Sequence, residues 1–153
     1  MKNNTPTWIK YLTAYYGILQ SLHLAALIRA GLIMLVEGRF PFPILPPPGG
    51  WTGQTLPFLI GLGATDVVGI ALGIAFAYRS LFTGQYYRRL GVISLTIFIT
   101  GAIVFAVGTF PSGAWGAHPF AYWVMAPLFA PVPLLYVWLL RSNLTPKQSH
   151  KRA

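Results

Sequence analysis

From Leu90 to Leu140 the chain runs for 51 residues without an Asp, Glu, Lys or Arg. A water-soluble fold cannot keep so long a stretch off its surface, because charged residues make up about 25% of such domains. Here they make up 8%, against 55% hydrophobic residues. The composition therefore predicts a polytopic membrane protein. Backbone groups in hydrocarbon must bond within their own segment, so the spans are expected to be helices and the fold all-α.

Four spans are expected, about 11–36, 56–78, 90–109 and 120–140. Each is close to the ~20 residues that cross ~30 Å of hydrocarbon. They form one membrane domain over 1–153, a four-transmembrane-helix bundle, with 141–153 as a basic tail. Met1 to Lys10 leads into a segment too long for a signal-peptide core and reads as an uncleaved first span. The net charge of +9 sorts by topology. Lys2, Lys10, Arg79, Arg88, Arg89, Arg141, Lys147, Lys151 and Arg152 fall on one side, and only Arg29 and Arg39 fall elsewhere. That asymmetry predicts cytoplasmic N and C termini. Attraction to anionic lipid accounts for the charge without a nucleic-acid partner. With no cysteines, disulfides, thiolate metal sites and redox dithiols are excluded.

Aromatic residues gather near the span ends (Trp8, Tyr11, Tyr15, Tyr16, Trp51, Tyr86, Tyr87, Trp115, Trp123, Trp138), as an interfacial belt requires. Between the first two spans, Pro41, Pro43, Pro46, Pro47, Pro48, Gly49 and Gly50 make a stiff segment that then turns sharply. It either folds back as a lid or acts as a rigid spacer; outer loops usually only connect, which favours the spacer. Pro127, Pro131 and Pro133 predict a kinked or opened last span whose freed carbonyls need partners. Thr65, Gly69, Gly73 and Ala77 at spacing four, and Ser94, Gly101 and Gly108 at spacing seven, predict close helix packing inside the bundle or against a partner subunit.

The polar residues inside the spans are the candidate site. A carboxylate at the centre of a membrane helix costs roughly 2.5–3.5 kcal/mol on insertion scales and marks function by default. Asp66 is one of two acidic residues in the chain and shares the side of its helix that carries Gly69 and Gly73. On span one, Tyr16, His23, Ala30 and Glu37 recur every seven residues, with Gln20 beside them. At about 1.5 Å per residue, His23 and Asp66 both lie about 15–18 Å from their helix starts, near the midplane. If the first two spans are antiparallel neighbours, the two side chains share one level. Gln20, Thr96 and Thr100 would complete a polar layer. Arg29 points away from the His23 stripe; it snorkels to the headgroups, pairs with Asp66, or guards the outer mouth of a cavity.

Catalytic constellations are missing. There is no HExxH, GxSxG or P-loop pattern and no pair of carboxylates within a helix turn. His118 and His150 cannot reach the level of His23, so no metal cage of protein ligands is expected. Ligation of a haem or chlorophyll by His23 alone stays open. One carboxylate and one imidazole can relay a proton, or hold a ligand's amine or hydroxyl. The chain reads more readily as a binding protein than as an enzyme.

Several residues resemble the EXPERA group of emopamil-binding sterol isomerases and sterol-binding proteins. They are Asp66 in span two, Arg88 and Arg89 before span three, and Ala126-Pro127, Pro131 and Leu140-Arg141-Ser142 in the last span. The resemblance implies a lipophilic cavity lined by acidic residues that binds or isomerises sterols. The chain departs from that group in lacking a second acid within span one: Glu37 is at the helix end and position 29 is arginine. The run Gly61-Leu62-Gly63-Ala64-Thr65-Asp66 is similar to the glycine-rich second span of the DoxX group, four-helix proteins linked to quinone-dependent oxidation.

The expected function is binding of a lipophilic molecule such as a sterol, isoprenoid or quinone, with a pigment also open. Asp66, His23, Gln20, Arg29, Thr96 and Thr100 are the candidate contacts. The alternative is an accessory subunit of a larger respiratory or photosynthetic membrane complex, docked through the glycine faces. An EXPERA-type isomerase ranks below both.

Overall fold

The computed structural model describes residues 5–41, 45–51, 53–83 and 85–144, with side chains to 141. The basic tail expected after Arg141 is therefore described only as helix backbone to Leu144. The chain is helical throughout its ordered elements: α1 (Thr7–Glu37), α2 (Thr55–Phe82), α3 (Arg88–Thr109), a 3₁₀ turn (Phe110–Ser112), and the short helices α4 (Ala114–Ala117), α5 (Pro119–Trp123), α6 (Met125–Phe129) and α7 (Pro131–Leu144). Four stretches are long and apolar enough to cross a membrane: Thr7–Glu37, Thr55–Phe82, Arg88–Ser112 and Pro119–Arg141. Each covers the expected span and extends beyond it at one or both ends.

The helices pack in a ring, α1 on α2, α2 on α3, α3 on α7 and α7 on α1. Close approaches give the register. A Cβ on Gly17 would meet Ala77, and one on Gly63 would meet Leu27. Between them, Gly73 faces Gln20 and Asp66 faces His23. Residue numbers therefore fall along α2 as they rise along α1, and the two helices are antiparallel. The pairs Phe76 with Gly91, Gly69 with Ile97, Asp66 with Gly101 and Phe58 with Gly108 make α2 and α3 antiparallel in the same way. Small residues set these seams because they let two helix backbones approach closely. The glycine ridges are thus filled by the chain's own side chains. Thr65, at the end of the expected ridge, is exposed and bonds its own helix at Leu62 O.

Two apolar clusters plug the two ends of the ring. Ile9, Tyr16, Leu19, Phe76, Leu95, Val132, Leu135 and Leu139 form the cluster at the end that carries the termini. Hydroxyls are paired within it. Tyr16 and Ser94 share a 2.7 Å hydrogen bond, and Ser94 Oγ also donates to Gly69 O. Thr13 and Tyr86 share another. Tyr86 sits outside the spans, where burial pushes its hydroxyl up to about 12, so it stays protonated. Arg88 stacks on Trp138 and Arg79 on Tyr87 at this face.

At the opposite end Trp51, Leu59, Ala114 and Tyr122 form a second cluster, flanked by Phe105 and Trp115. Here two sequence expectations change. The Pro-rich connection is no free spacer: the Tyr122 hydroxyl donates to Leu45 O, and the His118 ring bonds Pro46 O. Trp51, expected in an interfacial belt, is buried against Leu59, Ala114 and Tyr122. A run of prolines presents carbonyls with few N–H groups beside them, and His118 of the second connection and Tyr122 of α5 meet two carbonyls of this segment. The segment folds back onto the bundle; its residues 42–44 lie outside the described residues.

The last span is broken, as its prolines require. Helix α5 ends at Trp123, α6 spans Met125–Phe129 around Pro127, and α7 restarts at Pro131. At the second break the Tyr15 hydroxyl of α1 donates to Leu128 O. That bond is of the kind expected for carbonyls at a proline break.

Candidate functional site

Between the two plugs the bundle encloses a cavity of about 410 Å³. Its walls are apolar, with Leu19, Leu59, Leu62, Phe98, Phe105 and Phe129 among them, and its polar points are few. His23 from α1 and Asp66 from α2 are its two ionisable groups apart from Tyr122. His23 Nε2 lies 3.9 Å from Asp66 Oδ2. The side chains are 23% and 16% exposed, so both are half-withdrawn and reach the open space.

The sequence explains why the carboxylate can sit there. On α2 the interior stripe is Leu59, Gly63, Asp66, Ile70 and Gly73, a run at spacing three and four. Opposite Asp66 on α3 stands Gly101, where a Cβ would lie 3.0 Å from Oδ1. The missing side chain makes the space the carboxylate occupies. On α1, Tyr16, Gln20, His23 and Ala30 share the inward stripe, with Tyr16, Gln20 and Ala30 fully withdrawn. Glu37, its expected fourth heptad member, is exposed and pairs with Arg39. The second acid therefore stands outside the cavity, and no two carboxylates share the site.

The other candidate residues are placed as follows. Gln20 is buried one turn from His23, packed on Gly73. Its amide lies beside the Tyr16 hydroxyl, and neither amide atom meets a partner in hydrogen-bonding geometry among the described residues. Arg29 is exposed on the outer flank of α1 and does not line the cavity. The group that Asp66 faces is His23, not Arg29. Thr96 and Thr100 are exposed and outside the cavity lining. Thr96 bonds the Tyr136 hydroxyl and its own helix at Val92 O, fastening α3 to α7. The polar layer is thus narrower than spacing predicts: His23 and Asp66 face the cavity, and Gln20 lies behind them. Ser94, which spacing marks only as a small packing residue, is an α3 hydroxyl that faces inward, as Thr109 does nearer the loops. Its place seven residues from Gly101 on one face was the available signal.

Trp115, Tyr122 and Trp123 line the cavity toward the loop end and carry the remaining polar handles. The Trp115 ring N–H donates to Thr109 Oγ1, 3.0 Å away. Among the described residues no three of His, Cys, Asp and Glu come together to hold a metal. The arrangement offers one acid, one imidazole and a long apolar wall. It can accept and donate hydrogen bonds at one end of a hydrophobic guest. No protein-family model, curated protein or solved structure matches this chain.

Proposed function

We propose that this chain is a multi-pass membrane protein that binds a single lipophilic molecule of the sterol, isoprenoid or quinone kind. The polar end of the guest meets Asp66 and His23, and its body fills the apolar cavity. The observation that carries this reading is the coincidence of the cavity with the only inward-facing acid of the chain. Ligand sites are concave, mostly apolar, of about 300–1,000 Å³, with a few convergent polar groups. Both termini face the cytoplasm in this reading, since the basic residues cluster at their end of the bundle.

A second reading, a subunit of a larger membrane complex, has one observation in its favour. Arg29 is exposed between the apolar residues Ile28 and Leu32, eight residues from the end of α1. A cation about 12 Å below a helix end reaches for a headgroup or a partner's carboxylate. Native mass spectrometry of the gently solubilised protein separates the two. The binding reading predicts a stoichiometric small molecule that is lost from Asp66→Asn. Co-purifying chains that persist in Asp66→Asn and vanish in Arg29→Ala favour the subunit reading. A wild-type chain that carries no small molecule refutes the first.

A further inference from the structure

Both axial routes to the cavity are closed. Toward the termini stands the cluster around Tyr16, Phe76 and Leu135. Toward the loops stand Trp51, Leu59 and Tyr122, with the Pro-rich segment held over them by His118 and Tyr122. The side between the first and last spans differs. Helix α1 packs on α7, and the Tyr15 hydroxyl bonds Leu128 O beside the Ala130 break. Beyond that bond the cavity lining comes to the surface. Leu22 of α1 is 65% exposed, while Trp123 and Leu128 of the broken segment are 63% and 41% exposed, yet all three line the cavity. Ala26 and Ala126, also in the lining, are exposed small residues on the two sides of this gap. The gap lies within stretches long and apolar enough to cross a membrane, so in the reading above it opens on lipid and not on water.

At the inner end of this route, His23 Nε2 and Asp66 Oδ2 face each other at 3.9 Å. That is longer than a direct hydrogen bond, yet a hydroxyl oxygen between them lies about 2.8 Å from both. A hydroxyl satisfies each group in its own sense, donating to the carboxylate and accepting from a ring N–H. A carbonyl or ester only accepts and leaves the carboxylate unmatched.

We propose that the cavity is loaded sideways from the bilayer, through the mouth between Leu22 and Ala26 of α1 and Trp123, Ala126 and Leu128 of the last span. The guest is a lipid alcohol whose hydroxyl bridges Asp66 and His23 and whose hydrocarbon tail trails through the mouth. This rests on the binding reading above and adds the guest's chemical class and route.

Retinol, a fluorescent isoprenoid alcohol, serves as the probe, with retinyl acetate as its hydroxyl-free counterpart. The full chain is placed in phosphatidylcholine vesicles, and energy transfer from its five tryptophans, of which Trp115 and Trp123 line the cavity, reports occupancy. Wild type should give saturable transfer with retinol and bind the acetate at least about tenfold more weakly, since a hydrogen bond to a charged group is lost. The double variant Ala26→Phe, Ala126→Phe narrows the mouth and should slow uptake and release together by about tenfold. His118→Ala, which removes one of the two bonds that hold the loop down, should leave both rates alone. Equal binding of the acetate overturns the alcohol assignment. Rates insensitive to the mouth variant, or raised by His118→Ala, overturn the sideways route while leaving the binding reading intact. Absence of saturable transfer in wild type overturns the binding reading itself.

Discussion

The α1–α2–α3 seam at Gly73 allows a sharp test of the packing that builds the site. A Cβ at Gly73 would lie 2.9 Å from Gln20 Cγ, 2.9 Å from Ser94 Oγ and 3.2 Å from Tyr16 Cε1. All three neighbours are 0% exposed, so none has open space to move into. Overpacking of this kind costs about 1–3 kcal/mol, and the closed surroundings put Gly73→Ala near the top of that range. The helix gains up to about 1 kcal/mol from losing a glycine. The net loss is about 2 kcal/mol, or roughly 4–8 °C for a chain of this size. Gly61, on the same helix, has nothing within 4 Å of its Cβ position. Gly61→Ala should therefore be neutral or stabilise by up to about 1 kcal/mol. Thermal unfolding of both variants in one detergent makes the comparison internal. If Gly73→Ala melts at or above the wild-type temperature, the three helices do not meet at Gly73 as described.

Three further outcomes are expected. Ser94→Ala leaves the Tyr16 hydroxyl buried without its partner and should cost about 1–3 kcal/mol in the same melt; an unchanged melt contradicts the buried pair. Gly101→Ala displaces the Asp66 carboxylate by a few tenths of an ångström into the cavity, so it should weaken guest binding while leaving the melting temperature nearly unchanged. Because the chain has no cysteine, single introduced ones report topology cleanly. Ser80→Cys should react with an impermeant maleimide only from the cytoplasmic side and Gly49→Cys only from the opposite side; the reverse pattern inverts the orientation.

How much of this was legible in the residues depends on which force decides each feature. The four long apolar helices follow from a composition suited to hydrocarbon, where backbone groups must be satisfied internally, and a charge-free run such as 90–140 marks them directly. The level of His23 and Asp66 follows from helix rise alone. Helix facing is harder. In lipid both the outer and the inner surface of a span are apolar, so amphipathicity does not mark the inward side. Thr96 and Thr100 look like members of a polar layer but turn outward, Thr96 toward Tyr136. Ser94 looks like a spacer and turns inward. Glycine positions are the better guide, since Gly69, Gly73, Gly91, Gly101 and Gly108 all sit where another side chain fills the gap. The folding of the Pro-rich segment was hidden for another reason. It depends on His118 and Tyr122, more than 70 residues further along the chain.

The central claim is that the space beside Asp66 and His23 holds one lipophilic molecule. Ala102 lines that space from α3 without belonging to either plug. Ala102→Trp fills the cavity and leaves both ionisable side chains in place. Native mass spectra of wild type and Ala102→Trp, purified side by side from the same membranes, measure occupancy directly. One small molecule per wild-type chain and none per Ala102→Trp chain is the predicted result. Equal occupancy in the two proteins, or an empty wild-type chain, contradicts the claim.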